Sequence, residues 1–465
     1  MIYLHALSAV LVSTFLGFLF LQLLDRERKL GVMEGLGLSY GLGMGVIAII
    51  MTFLALAGIH FNIFNILAPF ILMIALAGIF NKIFPMSRKE HLTGKPERMK
   101  MSKLELFFLG AVIFEIAFVF FVSLIKPMES WDAVGHWGAK AKTIYFLKGL
   151  PLDLFSRPCI EYTVITADYP WLWPFSQDYI YNFIGFFDDF ASKILGPFFF
   201  ASCLVVFYNI LRRVKLKRLY ALIFTFFLAS IPHFNNFASN GYADLILGYY
   251  YCVSFLYLYL WFRNNDRIYL FLSIIFTAMT CYVKCEALLL TLISVLTFLS
   301  FVLCSKSENR GSAFKAFIFY IFMVVLLSLP MFLLKHFTSA NITNQAVSIK
   351  LFSEFRLQNL FRISPIIYAY QKQLFGVKYW NLTGVLFLIS AFLAYRRKIL
   401  FNKEFRFLTI AIGLIFLAHI SFFMISKDVR QYLAPLSRMF LHFLPLVVFF
   451  IAIIFQHEET RGKQS

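Results

Sequence analysis

One short stretch in the first third of the chain concentrates the residue types that do chemistry. Residues 129–142 read E-S-W-D-A-V-G-H-W-G-A-K-A-K. If a helix begins near Asp132, then Asp132, His136 and Lys140 are four residues apart and share one helix face. A face with a carboxylate, an imidazole and an ammonium group, bordered by indole rings, suits a sugar and a phosphate. A solvated loop with interfacial aromatic residues would explain the pattern equally well.

A second stretch, residues 167–179, reads A-D-Y-P-W-L-W-P-F-S-Q-D-Y and supplies Asp168 before a rigid aromatic segment. Together the two stretches contain the carboxylates Asp132 and Asp168 and the tryptophans Trp131 and Trp137.

Composition indicates a membrane protein built from helices. The chain has 465 residues, of which 60% are hydrophobic and 14% charged, and its mean hydropathy is +0.77. A soluble domain carries about 25% charged residues. The net charge of +19 is spread through short loops between apolar runs. This distribution fits the positive-inside rule and an anionic leaflet, and it does not indicate nucleic acid as a partner.

Apolar runs predict an all-α polytopic bundle of about thirteen transmembrane helices. The first run lacks a leading positive charge, which predicts an uncleaved helix with its N-terminus outside. The dense Lys and Arg clusters then all fall on one side, and two long loops, 126–180 and 336–379, are predicted on the non-cytoplasmic side. In the second loop, residues 351–361 predict an amphipathic helix at the interface. The predicted runs are 1–24, 36–59, 62–84, 104–125, 181–211, 219–232, 245–262, 268–283, 287–304, 314–334, 380–394, 405–426 and 433–455.

Further charged residues are predicted at the outer ends of these helices, where basic residues are rare. Lys284 and Glu286 lie between two short apolar runs, where charges are costly and often functional. A tight turn with both side chains reaching the interface is the alternative. Asp244 begins a predicted helix, so it either caps that helix or binds substrate. Arg430 follows Asp428 and either forms a local ion pair or, with Lys284, binds a phosphate.

These motifs together resemble the GT-C class of integral-membrane glycosyltransferases. That class includes protein O-mannosyltransferases and the aminoarabinose transferases of lipid A, and the chain looks closest to an uncharacterised bacterial branch. The matching segments are W-D-A-x-x-x-W-x-x-K-A-K at 131–142, D-Y-P-x-L-x-P at 168–174, G-Y-A-D at 241–244, K-C-E-A at 284–287 and D-V-R-Q-Y-L at 428–433. They occur in the order of the family and on one predicted face. Two features differ: in the family the acidic loop usually follows the first helix, whereas here three further helices precede it, and Val283 and Ala287 replace a Thr and a Gly.

The resemblance implies a polyprenyl-phosphate-linked sugar as donor and a loop carboxylate as base. Such a transfer needs a base for the acceptor hydroxyl and positive charge near the leaving phosphate. We assign the base to Asp132, with His136 as the alternative, and the orientation of sugar or acceptor to Asp168. Stacking on the sugar ring is assigned to Trp131 and Trp137.

The resemblance also implies the acceptor and the side of the membrane. A glycan, lipid or protein would be the acceptor, on the outer face of the bacterial cytoplasmic membrane. We expect 1–103 to be an accessory unit and 104–465 the catalytic core. The donor phosphate and substrate would contact Lys140, Lys142, Asp244, Lys284, Glu286 and Arg430.

No cofactor and no resident metal are expected, although a divalent ion bridging Asp132 and the phosphate stays open. The chain contains no nucleotide-binding loop, so a nucleotide-sugar or ATP is not expected. Two other functions remain open: a transporter or flippase of a lipid-linked or acidic solute, and a glycan polymerase or ligase.

Overall fold

The computed structural model describes residues 2–83, 100–153, 169–339, 363–425 and 429–462, and over these residues it contains helices and no strand. The predicted all-α class is therefore confirmed. The helices are α1 (Ile2–Leu24), α2 (Val32–Leu56), α3 (Ile63–Ile83), α4 (Lys103–Ile125), α5 (Ala139–Phe146), α6 (Leu172–Ile184), α7 (Asp189–Lys193), α8 (Leu195–Arg213), α9 (Arg218–Ala229), α10 (Pro232–Ser239), α11 (Asp244–Asn264), α12 (Arg267–Thr280), α13 (Ala287–Cys304), α14 (Ser307–Ser339), α15 (Ile363–Leu374), α16 (Val377–Trp380), α17 (Thr383–Arg396), α18 (Lys403–Ile425), α19 (Val429–Leu441) and α20 (Leu444–Gly462).

Many of these helices are long and apolar enough to cross a membrane. Within the described ranges there are nine such helices, or eleven if each of two bent helix pairs forms one span. The chain is thus an integral membrane protein, but the predicted number of thirteen spans is not confirmed. Two of the thirteen predicted runs form α12 and α17, which have 14 residues each. At 1.5 Å per residue such a helix is about 21 Å long, less than the roughly 30 Å of a bilayer core.

Two breaks in the helices were missed at the sequence level, where no Gly/Pro-broken pair stood out. Helix α10 turns by 64° from α9, and α20 turns by 54° from the Pro435–Leu441 part of α19. Pro232 begins α10, and Pro435 lies inside α19. Proline lacks a backbone donor and ends or bends a helix, so the signal was present in the sequence.

The boundaries of several predicted helices and loops differ from those in the structure. The predicted run 181–211 is divided among α6, α7 and α8, because Gly185 adopts φ +87° and ends α6. Asp188 then starts α7 by accepting a hydrogen bond from Ala191 N at 2.9 Å. In the second loop, α14 extends to Ser339 and α15 follows. The predicted interfacial helix at 351–361 lies outside the described residues.

The chain divides into two compact units, which are described separately. Unit 1 comprises 1–229, 235–246 and 329–338, and unit 2 comprises 230–234, 247–328 and 339–465. In unit 1, α1 packs along α2, and both contact α6. The Tyr179 hydroxyl donates to Ala9 O, and the Tyr40 hydroxyl donates to Leu195 O, both at 2.9 Å. The N-terminal helices thus pack directly against the segment that follows the aromatic motif.

Two arginine–glutamate pairs join helices of unit 1 at the basic segment 212–218. Arg213 Nε donates to Glu34 Oε1 at 2.6 Å, which links α8 to α2. Arg218 donates to both carboxylate oxygens of Glu105 at 2.8 Å, which links α9 to α4. Bidentate pairs of this kind are the stronger, geometrically specific form of salt bridge. Part of the dense positive charge used to predict topology therefore also holds helices together.

Unit 2 is held largely by aromatic packing. Helix α13 packs on α18, and α17 packs on α20. The rings of Phe262 and Phe301 stack with centroids 4.4 Å apart, and Phe407 lies 5.1 Å from both. At Gly248 the backbone approaches α19 so closely that a Cβ would lie 2.6 Å from Leu441 O. The high phenylalanine content is thus used for interior packing here as well as for contact with lipid.

Candidate functional site

The chemistry-bearing stretch folds into a helix with an unusual turn. Helical structure begins at Trp131 and continues to Phe146, but residues Ala133–Gly138 form a π-helix with wider hydrogen-bonded turns. Gly138 permits this turn, since a Cβ there would lie 2.8 Å from Ala133 O. Short π-helical segments are rare and often occur at functional sites.

Burial differs among Asp132, His136 and Lys140, and their shared face stays a prediction. Asp132 is half-buried, whereas His136 and Lys140 are buried. In contrast, Lys142 is exposed and Trp131 is 74% exposed. Asp132 is therefore partly exposed, whereas His136 and Lys140 lie inside the protein.

Lys140 is a fully buried ammonium group. Its Nζ donates a hydrogen bond to Tyr169 O at 2.9 Å and lies 4.6 Å from the centre of the Trp171 ring. A backbone carbonyl accepts hydrogen bonds from N–H groups, and an indole face attracts a cation, so both groups are suitable neighbours for a lysine. The helix carrying Lys140 is thereby joined to the aromatic segment that follows Asp168. Asp168 itself lies outside the described residues.

Three aromatic side chains pack together beside Lys140. The ring centres of His136 and Trp137 are 4.2 Å apart, and Tyr169 lies 5.0 Å from His136 and 5.6 Å from Trp137. Trp137 is only 1% exposed, and its Nε1 has no hydrogen-bond acceptor among the described residues. Trp131 and Trp137, predicted to act alike, therefore occupy different environments.

A third predicted motif also reaches this helix. Trp173 Nε1 donates to Gly241 O at 2.8 Å, and a Cβ on Gly241 would lie 3.2 Å from the Cβ of Ala133. Gly241 has φ +84°, a left-handed conformation that favours glycine. The turn leads to Asp244, which is fully buried and begins α11 as predicted. Unit 1 thus brings together the helix of residues 131–146 (the W-D-A helix), the aromatic segment that follows Asp168, and the turn of residues 241–244 (the G-Y-A-D turn).

Lys284 and Glu286 belong to unit 2 and lie in the break between α12 and α13. Lys284 is 3% exposed, and its Nζ lies 3.1 Å from Glu286 Oε1. Ala287 N donates to Lys284 O at 3.2 Å, which starts the next helix. Arg430 lies in α19, but its side chain is outside the described part of the structure.

One pair of polar residues escaped the sequence analysis. Gln177 and Asp178 are fully buried on α6, and Asn182 Nδ2 donates to Asp178 Oδ2 at 2.9 Å. Both side-chain polar atoms of Gln177 and the Oδ1 of Asp178 lack a described hydrogen-bond partner. Burial raises the pKa of Asp178 well above its ordinary value. The signal was a Q-D pair inside an otherwise aromatic and apolar helix.

The helix of residues 131–146 in unit 1 thus carries a half-buried carboxylate, Asp132, and a buried lysine, Lys140, beside several aromatic rings. Among the residues that the structure describes, no group of three or more His, Cys, Asp or Glu side chains could hold a metal ion. The expectation of no resident metal remains a prediction, as does the bridging ion.

Comparisons of the chain with models of known protein families, with curated proteins and with solved structures found no match.

Proposed function

We propose that the protein is a membrane glycosyltransferase that moves a sugar from a polyprenyl-phosphate donor to a glycan, lipid or protein acceptor. The observation that supports this proposal is the meeting of three motifs in unit 1. Lys140 binds Tyr169 O, Trp173 binds Gly241 O, and Gly241 packs against Ala133 beside Asp132. Residues about 30 and 100 positions apart in the chain therefore contact the helix that carries Asp132, directly or through each other.

Each step of sugar transfer has a matching group in this proposal. Asp132, on the accessible side of its helix, removes the proton from the acceptor hydroxyl. Lys140 neutralises the charge that develops on the leaving phosphate, and burial strengthens such an interaction. The exposed Trp131 stacks on the sugar ring, and Lys142 contacts an acidic acceptor. Asp168 and Asp244 orient the sugar or the acceptor.

The reaction would take place on the outer face of the bacterial cytoplasmic membrane. Arg213 and Arg218 lie in the densest basic cluster, and basic clusters are retained in the cytoplasm. Helix α4 begins at Lys103, beside Arg218, and leads to the 126–180 segment at its other end.

Thiol labelling tests this topology. Cys159 lies within the 126–180 segment and gives a single label once the other five cysteines are replaced by serine or alanine. We expect an impermeant maleimide to label Cys159 in intact spheroplasts. Labelling only after the membrane is permeabilised would place the segment in the cytoplasm and contradict the proposed side. A single cysteine introduced at Arg396, in a predicted cytoplasmic cluster, provides the opposite control.

A transporter or flippase is the second candidate, and the broken helices favour it. Transporters commonly bind substrate where spanning helices are interrupted, and α9–α10 and α19–α20 both bend sharply. A transporter would move the lipid-linked solute unchanged, whereas a transferase would release a polyprenyl phosphate. A polymerase or ligase would perform the same chemistry with a longer glycan.

The deciding experiment is a transfer assay with the purified full-length protein and a panel of polyprenyl-phosphate sugars. We expect release of polyprenyl phosphate together with a new glycosidic bond on an acceptor, both detected by mass spectrometry. Movement of intact donor across proteoliposomes without release of phosphate would instead identify a flippase. The Asp132→Asn variant serves as the matched control for transfer.

A further inference from the structure

Trp131 and Trp137 have the same predicted role, but their environments assign them different roles. Trp131 is 74% exposed and retains an open ring face for stacking. Trp137 is 1% exposed and packs against His136 and Tyr169, so no sugar ring can stack on it in this arrangement. What Trp137 still offers is the N–H of its indole.

That N–H is an unusual feature of a folded protein. Trp137 Nε1 is buried and has no hydrogen-bond acceptor among the described residues. Buried polar groups in native structures are nearly always hydrogen-bonded, so each exception needs a structural or functional reason. The π-helical turn of residues Ala133–Gly138 carries Trp137, and such turns often occur at ligand sites.

The neighbouring donor indicates what kind of ligand would complete the site. Lys140 and Trp137 are joined through Tyr169: Lys140 Nζ donates to its carbonyl at 2.9 Å, and the Trp137 ring lies 5.6 Å from its ring. Ammonium and indole groups donate hydrogen bonds and accept none. A ligand that suits both must present acceptor oxygens, and the oxygens of an anion accept hydrogen bonds more strongly than those of a neutral hydroxyl.

We propose that Trp137 Nε1 donates a hydrogen bond to a phosphate oxygen of the donor lipid, beside the ammonium of Lys140. This inference rests on the proposed function only for the identity of the lipid. It moves Trp137 from sugar stacking to recognition of the phosphate, and it leaves stacking to Trp131. The phosphate would then lie on the buried side of the helix, next to His136 and Tyr169.

Indole NMR tests the proposal directly. The full-length protein, with ¹⁵N in its six tryptophan side chains, is titrated in detergent with farnesyl phosphate and, separately, with farnesol. We expect the Trp137 indole proton, assigned by its loss in Trp137→Phe, to shift downfield with farnesyl phosphate and not with farnesol. No shift of this resonance at saturating farnesyl phosphate would overturn the proposal, and this readout does not depend on how the variant folds.

Affinity gives the second readout. Trp137→Phe retains an aromatic ring and removes only the donor, so we expect farnesyl phosphate to bind about 10-fold or more weakly, as for a lost hydrogen bond to a charged group. Trp380→Phe, the matched control, removes an indole donor that binds Gln373 Oε1 in unit 2 and should leave this affinity unchanged. Unchanged binding by Trp137→Phe would overturn the inference even if sugar transfer is observed. If Trp137 responds to farnesyl phosphate but no donor supports transfer, the phosphate site stands and the proposed function fails.

Discussion

Lys140 in unit 1 and Lys284 in unit 2 are both buried lysines, but the two regions stabilise them by different means. Lys140 contacts a backbone carbonyl and the face of an indole ring. Lys284 lies 3.1 Å from a carboxylate, that of Glu286. The carbonyl and the indole ring are neutral groups, whereas the Glu286 carboxylate carries a negative charge. The two lysines can therefore be tested separately for a role in binding the donor phosphate.

The largest effect that separates the two lysines is expected at Glu286. Replacing Glu286 with Ala leaves the Lys284 ammonium buried without that carboxylate, which typically costs about 3–5 kcal/mol. We expect a much lower apparent melting temperature in detergent. The double variant Lys284→Met with Glu286→Ala should recover most of the loss.

Donor binding by that double variant then decides the role of Lys284. Retained affinity for a polyprenyl phosphate would make the pair structural and leave Lys140 as the main phosphate contact. Lost affinity in a stable double variant would place Lys284 in the site, as the sequence predicted. The Lys140→Met variant is the matched comparison, and we expect it to lose donor affinity by the roughly 2–5 kcal/mol of a buried charged contact.

A smaller effect is expected where the G-Y-A-D turn meets the W-D-A helix. Gly241→Ala introduces a Cβ that would lie 3.2 Å from Ala133 and forces an alanine into φ +84°. Left-handed strain and overpacking of this size cost about 1–3 kcal/mol. We expect reduced transfer together with a lower melting temperature. Gly58→Ala offers the control, because Gly58 has φ +66° but no atom within 4 Å of the added Cβ.

If Gly58→Ala impairs transfer as strongly as Gly241→Ala, the close approach to Ala133 has no special importance. The contrast between the two glycines therefore tests whether the turn positions the helix that carries Asp132.

The smallest effect concerns Asp178 and depends on pH. Burial raises its pKa above the ordinary 3.8, so the folded protein retains a proton that the unfolded chain releases. The stability linked to this proton is complete below pH 3.8 and is lost as pH rises toward the pKa of the folded state. Asp178→Asn removes this dependence. We expect the variant to melt a few degrees above the unmodified protein at pH 8 and to lose that advantage at pH 4.

Equal differences in melting temperature at pH 4 and pH 8 would contradict a raised pKa at Asp178. Asn182→Ala provides a related control, since it removes the hydrogen bond to the carboxyl without removing the acid.

Much of the fold was predictable because hydropathy and helix length depend on local sequence. The apolar runs correctly indicated membrane helices, and Asp244 was correctly expected to begin one. The breaks at Pro232 and in α19 were not predicted. A proline inside a long apolar run either bends the helix or is tolerated in a straight one, and the neighbouring helices decide which. The π-helical turn was missed for a similar reason: it depends on Gly138 approaching Ala133 O.

The sequence could indicate candidate residues but not their environments. Residue types and order indicated Asp132, Lys140 and Asp244, whose roles stay predictions. Whether a tryptophan is exposed or buried depends on packing against Tyr169, which the sequence does not encode locally. For this reason Trp131 and Trp137 received one role, and the buried Gln177–Asp178 pair received none.

The most direct test of the account is the transfer rate of Asp132→Asn compared with that of His136→Gln. Asparagine preserves the shape of Asp132 but cannot remove a proton, and general-base catalysis contributes about 10²–10⁴-fold. We expect Asp132→Asn to lose transfer by about that factor while it retains expression and binding of the donor. His136, buried against Trp137 and Tyr169, should tolerate glutamine better. A near-normal rate for Asp132→Asn with a collapsed rate for His136→Gln would contradict the assigned base, and near-normal rates for both would contradict a transferase centred on this helix.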